Sequence, residues 1–73
     1  MYQIKAYYDK DYRGLSASEE TDNRDTMIDI VHNLAAQGGY IKVKNTETGD
    51  YIRFDSDTYW KEIYYEGEID LNI

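Results

Sequence analysis

The chain has 73 residues, no Cys and no Pro, and its fifteen acidic residues against eight Lys and Arg give a net charge of −7. This length predicts one small domain spanning residues 1–73 and leaves little volume for a deep catalytic cleft. The lack of Cys excludes disulfides, thiolate nucleophiles and Cys-type zinc sites. With no long apolar run at the N-terminus, neither export nor a membrane partner is expected, and the cytoplasm is the expected location.

The N-terminal residues alternate between apolar and polar side chains. Tyr2, Ile4, Ala6 and Tyr8 share one face, which is typical of a β-strand. The following residues 9–22 are mostly polar and contain Gly14. They are therefore predicted to form a long connection.

A change of period near residue 22 predicts a helix over about residues 23–37. Its start is marked by Asp22 or Asn23 as N-cap, and its end by Gly38 and Gly39. The apolar residues recur at helical spacing: Met27, Ile30, Val31, Leu34 and Ala35. This helix has one apolar face to bury.

Two further strands are predicted after the helix, over residues 40–45 and 50–54, because each alternates in the same way. Gly49 suits a short hairpin loop between them, so these two strands should pair antiparallel. The last segment, residues 59–71, fits two patterns. One side of a short helix would carry Tyr59, Trp60, Ile63 and Tyr64, whereas strand alternation accounts for the whole segment. The strand is the preferred interpretation, with a bend at Gly67.

The predicted fold class is therefore α+β. One amphipathic helix packs on an antiparallel sheet, in the order β-α-β-β-β, with the last strand bent at Gly67.

No arrangement of residues predicts catalysis, a cofactor or a metal site. His32 is the only histidine, and the helical wheel places it at the boundary of the apolar face, where a solvated side chain is expected. Asp55 and Asp57 lack the other ligands of a calcium loop. The expectation is a protein that is not an enzyme.

The acidic residues concentrate in two predicted elements. Asp22, Asp25 and Asp29 share the outer face of the helix. The even positions of the last strand carry acids about 6.7 Å apart, close to two steps of one DNA strand. The candidate partner-binding residues are Glu62, Tyr64, Glu66, Glu68, Asp70, Trp60, Asp22, Asp25 and Asp29.

In size, acidity and helix-plus-sheet pattern the chain resembles the small phage-encoded inhibitors that imitate DNA, such as anti-CRISPR and anti-restriction proteins. The resemblance covers the whole chain as composition and rests on no motif. It implies an inhibitor that acts in the cytoplasm of a bacterial host cell and occupies the basic, nucleic-acid-binding surface of a host defence protein, such as a nuclease or a CRISPR effector. The segment 38–54, which contains Lys42, Lys44 and Arg53 and has a net charge of +1, departs from this pattern.

Two other functions compete with this hypothesis. Charged surfaces also keep small domains soluble, and nine tyrosines suit an interaction module or a homodimer that associates through a tyrosine-rich sheet. Direct binding of nucleic acid is disfavoured at this level, because the basic residues are few and dispersed along the chain.

Overall fold

The structure is a computed structural model that describes residues 1–65, 68–69, 71 and 73. Its longer elements are four strands and one helix: β1 (Tyr2–Tyr7), β2 (Leu15–Thr21), α1 (Arg24–Ala36), β3 (Tyr40–Asn45) and β4 (Tyr51–Asp55). Short elements complete the described part: α2 (Ser56–Thr58), a π-helical turn (Tyr59–Ile63), β5 (Tyr64–Tyr65) and β6 (Glu68–Ile69).

The four longer strands form one antiparallel sheet in the order β2-β1-β3-β4, and β5 pairs with β6 in a separate hairpin. Strand β1 is central because it pairs with β2 on one side and with β3 on the other. Helix α1 covers one face of the sheet. The α+β class, with an amphipathic helix on an antiparallel sheet, is confirmed.

Helix α1 begins where its sequence signals predict. The Asn23 side chain caps the first turn by accepting a hydrogen bond from the Thr26 backbone N–H at 3.0 Å, and Asp25 lies in the first turn, where the helix dipole favours an anion. After Gln37 the chain leaves through Gly38 and Gly39, both at positive φ. The buried residues of the core are Ile4, Ala6, Met27, Val31, Leu34, Ala35, Ile41, Val43, Phe54, Tyr59 and Leu71.

The prediction of a long connection over residues 9–22 is wrong for its second half, which forms strand β2. This strand lies at the edge of the sheet, and most of its residues are exposed. Its backbone pairs with β1 through a register shift at Ala6 and Tyr7, while Ala17 packs on the core. Backbone hydrogen bonds to the neighbouring strand determine the conformation of an edge strand, so its sequence needs little alternation of apolar and polar residues.

The prediction of a strand from residue 59 is wrong up to Ile63, because residues 56–63 are helical. The Asp55 carboxylate caps this segment by accepting a hydrogen bond from the Thr58 N–H at 2.7 Å, and this bond lowers the pKa of that carboxyl. Tyr59 is fully buried, and its ring stacks on Phe54 at 6.0 Å between centroids. Strand pairing begins at Tyr64, opposite Ile69. The predicted bend at Gly67 lies outside the described residues.

Candidate interaction surfaces

The predicted acidic face of α1 is exposed. Asp25 and Asp29 point away from the core, one helical turn apart. Asp22 precedes the helix, and its carboxylate lies 3.6 Å from the N-terminal amine of Met1. Since both groups of this pair are largely exposed, it contributes little to stability.

The second predicted row, along the last strand, is interrupted. Trp60 and Glu62 belong to the π-helical turn, so they do not alternate with Tyr64 on one face of a strand. Trp60 is 41% exposed, and Glu62 is exposed. Glu66, Asp70 and the side chain of Glu68 lie outside the described part of the structure. The described residues therefore do not form a strand row with the spacing of phosphates.

The expectation that His32 is solvated is wrong. Its Nδ1 atom lies 2.7 Å from the hydroxyl oxygen of Tyr59, and its ring packs 5.3 Å from Trp60 and 5.2 Å from Tyr64. Burial raises the pKa of the Tyr59 phenol to about 12. Contacts within this aromatic cluster pack residues 59–64 against α1. Asp29 lies one helical turn before His32 on α1.

The sheet face opposite α1 forms a further surface, which the sequence did not predict. Gln3, Lys5 and Tyr7 of β1 alternate with buried residues and point to this open face. In the register of the sheet, Lys5 lies opposite Lys42, and Lys42 lies opposite Arg53. Three cations from three strands thus form one cross-strand row, with side chains about 4.5–5.5 Å apart at Cβ.

A fourth cation, Lys44, lies on the same face. Together with Gln3, Lys5, Tyr7 and Lys42 it lines a depression of about 150 Å³. We call the surface formed by Lys5, Lys42, Lys44 and Arg53, with the tyrosines between them, the cationic sheet face. It gathers half of the eight Lys and Arg residues of an acidic chain.

Four tyrosines share this face with the cations: Tyr7, Tyr12, Tyr40 and Tyr51. The Tyr12 ring meets Tyr7 and Tyr40 edge-on, at 5.6 and 6.1 Å between centroids. The Arg53 guanidinium lies 5.0 Å from the centre of the Tyr12 ring, and the Lys42 Nζ lies 4.7 Å from the centre of the Tyr51 ring. Rings and cations therefore alternate across the face in cation–π geometry.

The loop between β1 and β2 holds Tyr12 in a left-handed conformation with φ of 59°. Hydrogen bonds from the Tyr8 N–H to the Gly14 carbonyl and from the Tyr12 N–H to the Asp9 carbonyl close this loop. A left-handed residue other than Gly costs about 1–2 kcal/mol. Packing of the ring on the sheet offsets that strain. Burial raises the pKa of the Tyr12 phenol, although the Arg53 guanidinium acts to lower it.

Within the described residues, no acid forms an ion pair with any cation of this face. The ion pairs seen there involve the Met1 amine and Lys61. Glu20 on β2 also borders the face, but its carboxylate accepts a hydrogen bond from the Gln3 amide at 3.5 Å. Asp55, two residues after Arg53 on β4, also borders the face without forming an ion pair with it. Like charges directly opposite one another destabilise a sheet, so the row of Lys5, Lys42 and Arg53 costs stability that no ion pair offsets within the described residues.

The described residues hold no group of three or more His, Asp or Glu side chains placed to bind a metal ion. The larger cleft in this part, of about 330 Å³, lies between the end of β1 and the C-terminal end of α1. Its lining includes Ser16 and Gln37 but no charged side chain that could act as an acid or base. No helix in the described part is both long and apolar enough to cross a membrane.

No family model, no curated protein and no solved structure matches this chain.

Proposed function

We propose that this chain is a non-enzymatic binding domain whose cationic sheet face holds an anionic partner. The observation that carries this proposal is the cross-strand row of Lys5, Lys42 and Arg53, with which no acid forms an ion pair among the described residues. Glu20 and Asp55 border the face, but neither pairs with the row. The row therefore remains available for opposite charge from another molecule.

The composition of the face supports binding rather than mere solubility. Tyrosines supply large, rigid contact area at low entropic cost, and Tyr51 is 51% exposed. The side chains stand on a sheet whose other face is the buried core, so their positions are held by the fold.

A second copy of this chain is a poorer partner for the same face. Two cationic sheet faces stacked about a two-fold axis would bring like charges together without acids between them. The homodimer through a tyrosine-rich sheet is therefore disfavoured in that arrangement.

Retention on phosphocellulose, a cation exchanger that carries phosphate groups, tests the proposal. A protein with a net charge of −7 at pH 7 should flow through such a resin unless its cations are concentrated on one surface. We expect the protein to be retained at about 0.1 M salt, where charges are screened over about 10 Å. The double substitution Lys42→Glu with Arg53→Glu should abolish retention.

The matched control is Lys10→Glu with Lys61→Glu, which changes the net charge by the same amount outside the sheet strands. This control should remain on the resin, and circular dichroism should show that both variants fold. Flow-through of the wild-type protein, or equal losses of retention in both variants, would refute the proposal.

The acidic inhibitor predicted from the sequence is the second candidate. It is supported by the contact between His32 of α1 and Trp60, which brings the acidic face of the helix beside an exposed aromatic residue. In this role the protein would occupy the basic surface of a nuclease or CRISPR effector and exclude DNA. The cationic sheet face would then lie away from the interface.

Inhibition of DNA cleavage by basic nucleases distinguishes this second candidate. Asp25→Lys with Asp29→Lys should abolish inhibition, whereas Glu47→Lys with Asp50→Lys, an equal charge change in the exposed loop between β3 and β4, should leave it intact. Inhibition that is lost only when Lys42 and Arg53 are replaced would instead support the cationic sheet face.

A further inference from the structure

We infer that the anionic partner of the cationic sheet face is single-stranded nucleic acid. This inference rests on the proposed function, because it names the chemical class of the anion that the same face would hold. Three features carry it: the alternation of rings with cations, the open sheet surface on which they stand, and the distribution of charge over the rest of the chain.

The rings distinguish a nucleic acid from an acidic peptide. A row of carboxylates requires only cations, whereas a nucleic acid strand presents phosphates and flat bases in alternation. On β3, Tyr40 precedes Lys42 and Lys44, and on β4, Tyr51 precedes Arg53. Each strand therefore offers a ring for stacking and a cation for a phosphate on the same face.

Tyr51 is the best placed of these rings for stacking. It is about half exposed, and the Lys42 ammonium and Arg53 guanidinium lie 4.7 and 5.8 Å from its centre. A base that stacks on this ring would take the place of one of these cations over the ring, and the displaced cation would then lie within reach of a phosphate of the same strand.

The shape of the face favours a single strand over a duplex. Reading a duplex groove requires a helix or a ribbon that projects into it. Here the long helix α1 packs on the opposite side of the sheet. Four strands about 4.8 Å apart and about 20 Å long offer a platform that spans a few unpaired nucleotides.

The charge of the remaining residues also disfavours a wrapped duplex. The four cations of the face leave the rest of a chain of net charge −7 at −11, which repels any polyanion that extends around the molecule. A short single strand confined to the face borders Glu20 and Asp55 but stays away from Asp25 and Asp29 on the outer side of α1. The expectation from sequence that the cations are too dispersed does not hold in space, since β-sheet register brings Lys5, Lys42 and Arg53 together.

Fluorescence anisotropy with a labelled oligothymidylate of about eight nucleotides tests this inference, because comparable single-strand platforms cover about 4–16 nucleotides. We expect the affinity to fall as the salt concentration rises. A plot of the logarithm of the association constant against the logarithm of salt concentration should have a slope of about −3 or less steep, because four cations neutralise phosphates of a single strand. Lys42→Glu with Arg53→Glu should weaken binding more than about tenfold.

Substitutions of Tyr51 test base stacking separately from the attraction between opposite charges. Tyr51→Ala should weaken binding about 5- to 150-fold, the range expected when one base loses its stacking partner. Tyr51→Phe keeps the ring and should retain wild-type affinity. Lys10→Glu with Lys61→Glu is the charge-matched control and should weaken binding far less than the double substitution on the face.

A Glu peptide of about the same length separates this inference from the proposed function. Equal affinity for the Glu peptide and the oligothymidylate, with no effect of Tyr51→Ala, would refute nucleic acid as the partner and leave an anion-binding face. Failure to bind either ligand by a protein that phosphocellulose retains would also refute the inference alone. Flow-through of the wild-type protein on that resin would refute both.

Discussion

Replacement of Gly39 by Ala should destabilise the protein more than the same change at its neighbour. Gly39 lies where α1 ends and β3 begins, with φ of +100°, and a Cβ placed on it would lie 2.9 Å from the backbone carbonyl oxygen of Tyr7. That oxygen belongs to the central strand, so it cannot move away as the tip of a flexible side chain would. The Gly39 carbonyl also accepts a hydrogen bond from the Ser56 N–H at 3.1 Å.

Gly38 supplies the comparison that isolates this close approach. It also has positive φ, +86°, but a Cβ there would meet nothing within 4 Å. Gly38→Ala should therefore cost only the left-handed strain of about 1–2 kcal/mol. Gly39→Ala adds the cost of forcing the backbone apart, about 1–3 kcal/mol more. The lower entropy of an Ala-containing unfolded chain contributes equally to both variants and cancels in the difference.

Urea unfolding followed by circular dichroism and by the fluorescence of Trp60, the single tryptophan, measures both free energies. A domain of this size is stable by only about 3–5 kcal/mol, so Gly39→Ala should remove much of the total. The expected difference between the variants corresponds to about 4–8 °C in Tm for each kcal/mol. Free energies of unfolding that agree within about 0.5 kcal/mol would refute the close approach of Gly39 to Tyr7.

Two further predictions concern the helix and the aromatic cluster. Leu34→Ala should lower the free energy of unfolding by about 2–5 kcal/mol, because the side chain is only 6% exposed. Asp29→Asn on the outer face should change it by less than about 0.5 kcal/mol. Equal losses in urea unfolding would contradict the orientation of α1. Burial raises the pKa of Tyr59 to about 12, above its ordinary value of 10.0, so the unfolded chain loses this proton first and stability should fall as pH rises from 10 to 12. The Tyr59→Phe variant should lose less stability over that pH range. At neutral pH it should be less stable than the wild type by about 0.5–1.5 kcal/mol, because the contact with His32 is lost. Identical pH profiles of the two proteins would contradict the burial of the phenol.

The elements that the sequence predicted correctly are those whose own side chains carry the pattern. Helix α1 and strands β1, β3 and β4 each bury one face, so their apolar residues recur at the period of the element. Strand β2 lacks this signal because only Ala17 packs on the core and pairing with β1 determines its conformation. The apolar residues of 59–63 fit both the helical and the strand period. In the structure this segment is helical, and Tyr59 is buried against Phe54.

The cationic sheet face could be predicted only in part. Alternation within each strand already placed Lys5, Lys42 and Arg53 on the polar sides of their strands. The hairpin loop at Gly49 also predicted correctly that β3 and β4 are antiparallel neighbours. The pattern did not indicate that β1 pairs with β3 or which residues lie opposite one another, and a shift of register by one residue moves every side chain to the other face. Tyr12 was also missed, since its place on the face depends on a left-handed backbone in the β1–β2 loop. His32 was assigned to solvent because the helical wheel does not include the segment that later packs on it.

Opposite charges on the two sides of the fold contribute to a permanent electric dipole. Lys5, Lys42 and Arg53 lie on the open face of the sheet, whereas Asp25 and Asp29 lie on the outer side of α1, which covers the other face. In the field of any highly charged neighbour such a dipole experiences a torque, which turns the molecule before the surfaces touch. The protein would therefore meet a polyanion with its sheet and a polycation with its helix, so that orientation on encounter is selected by the sign of the neighbour's charge.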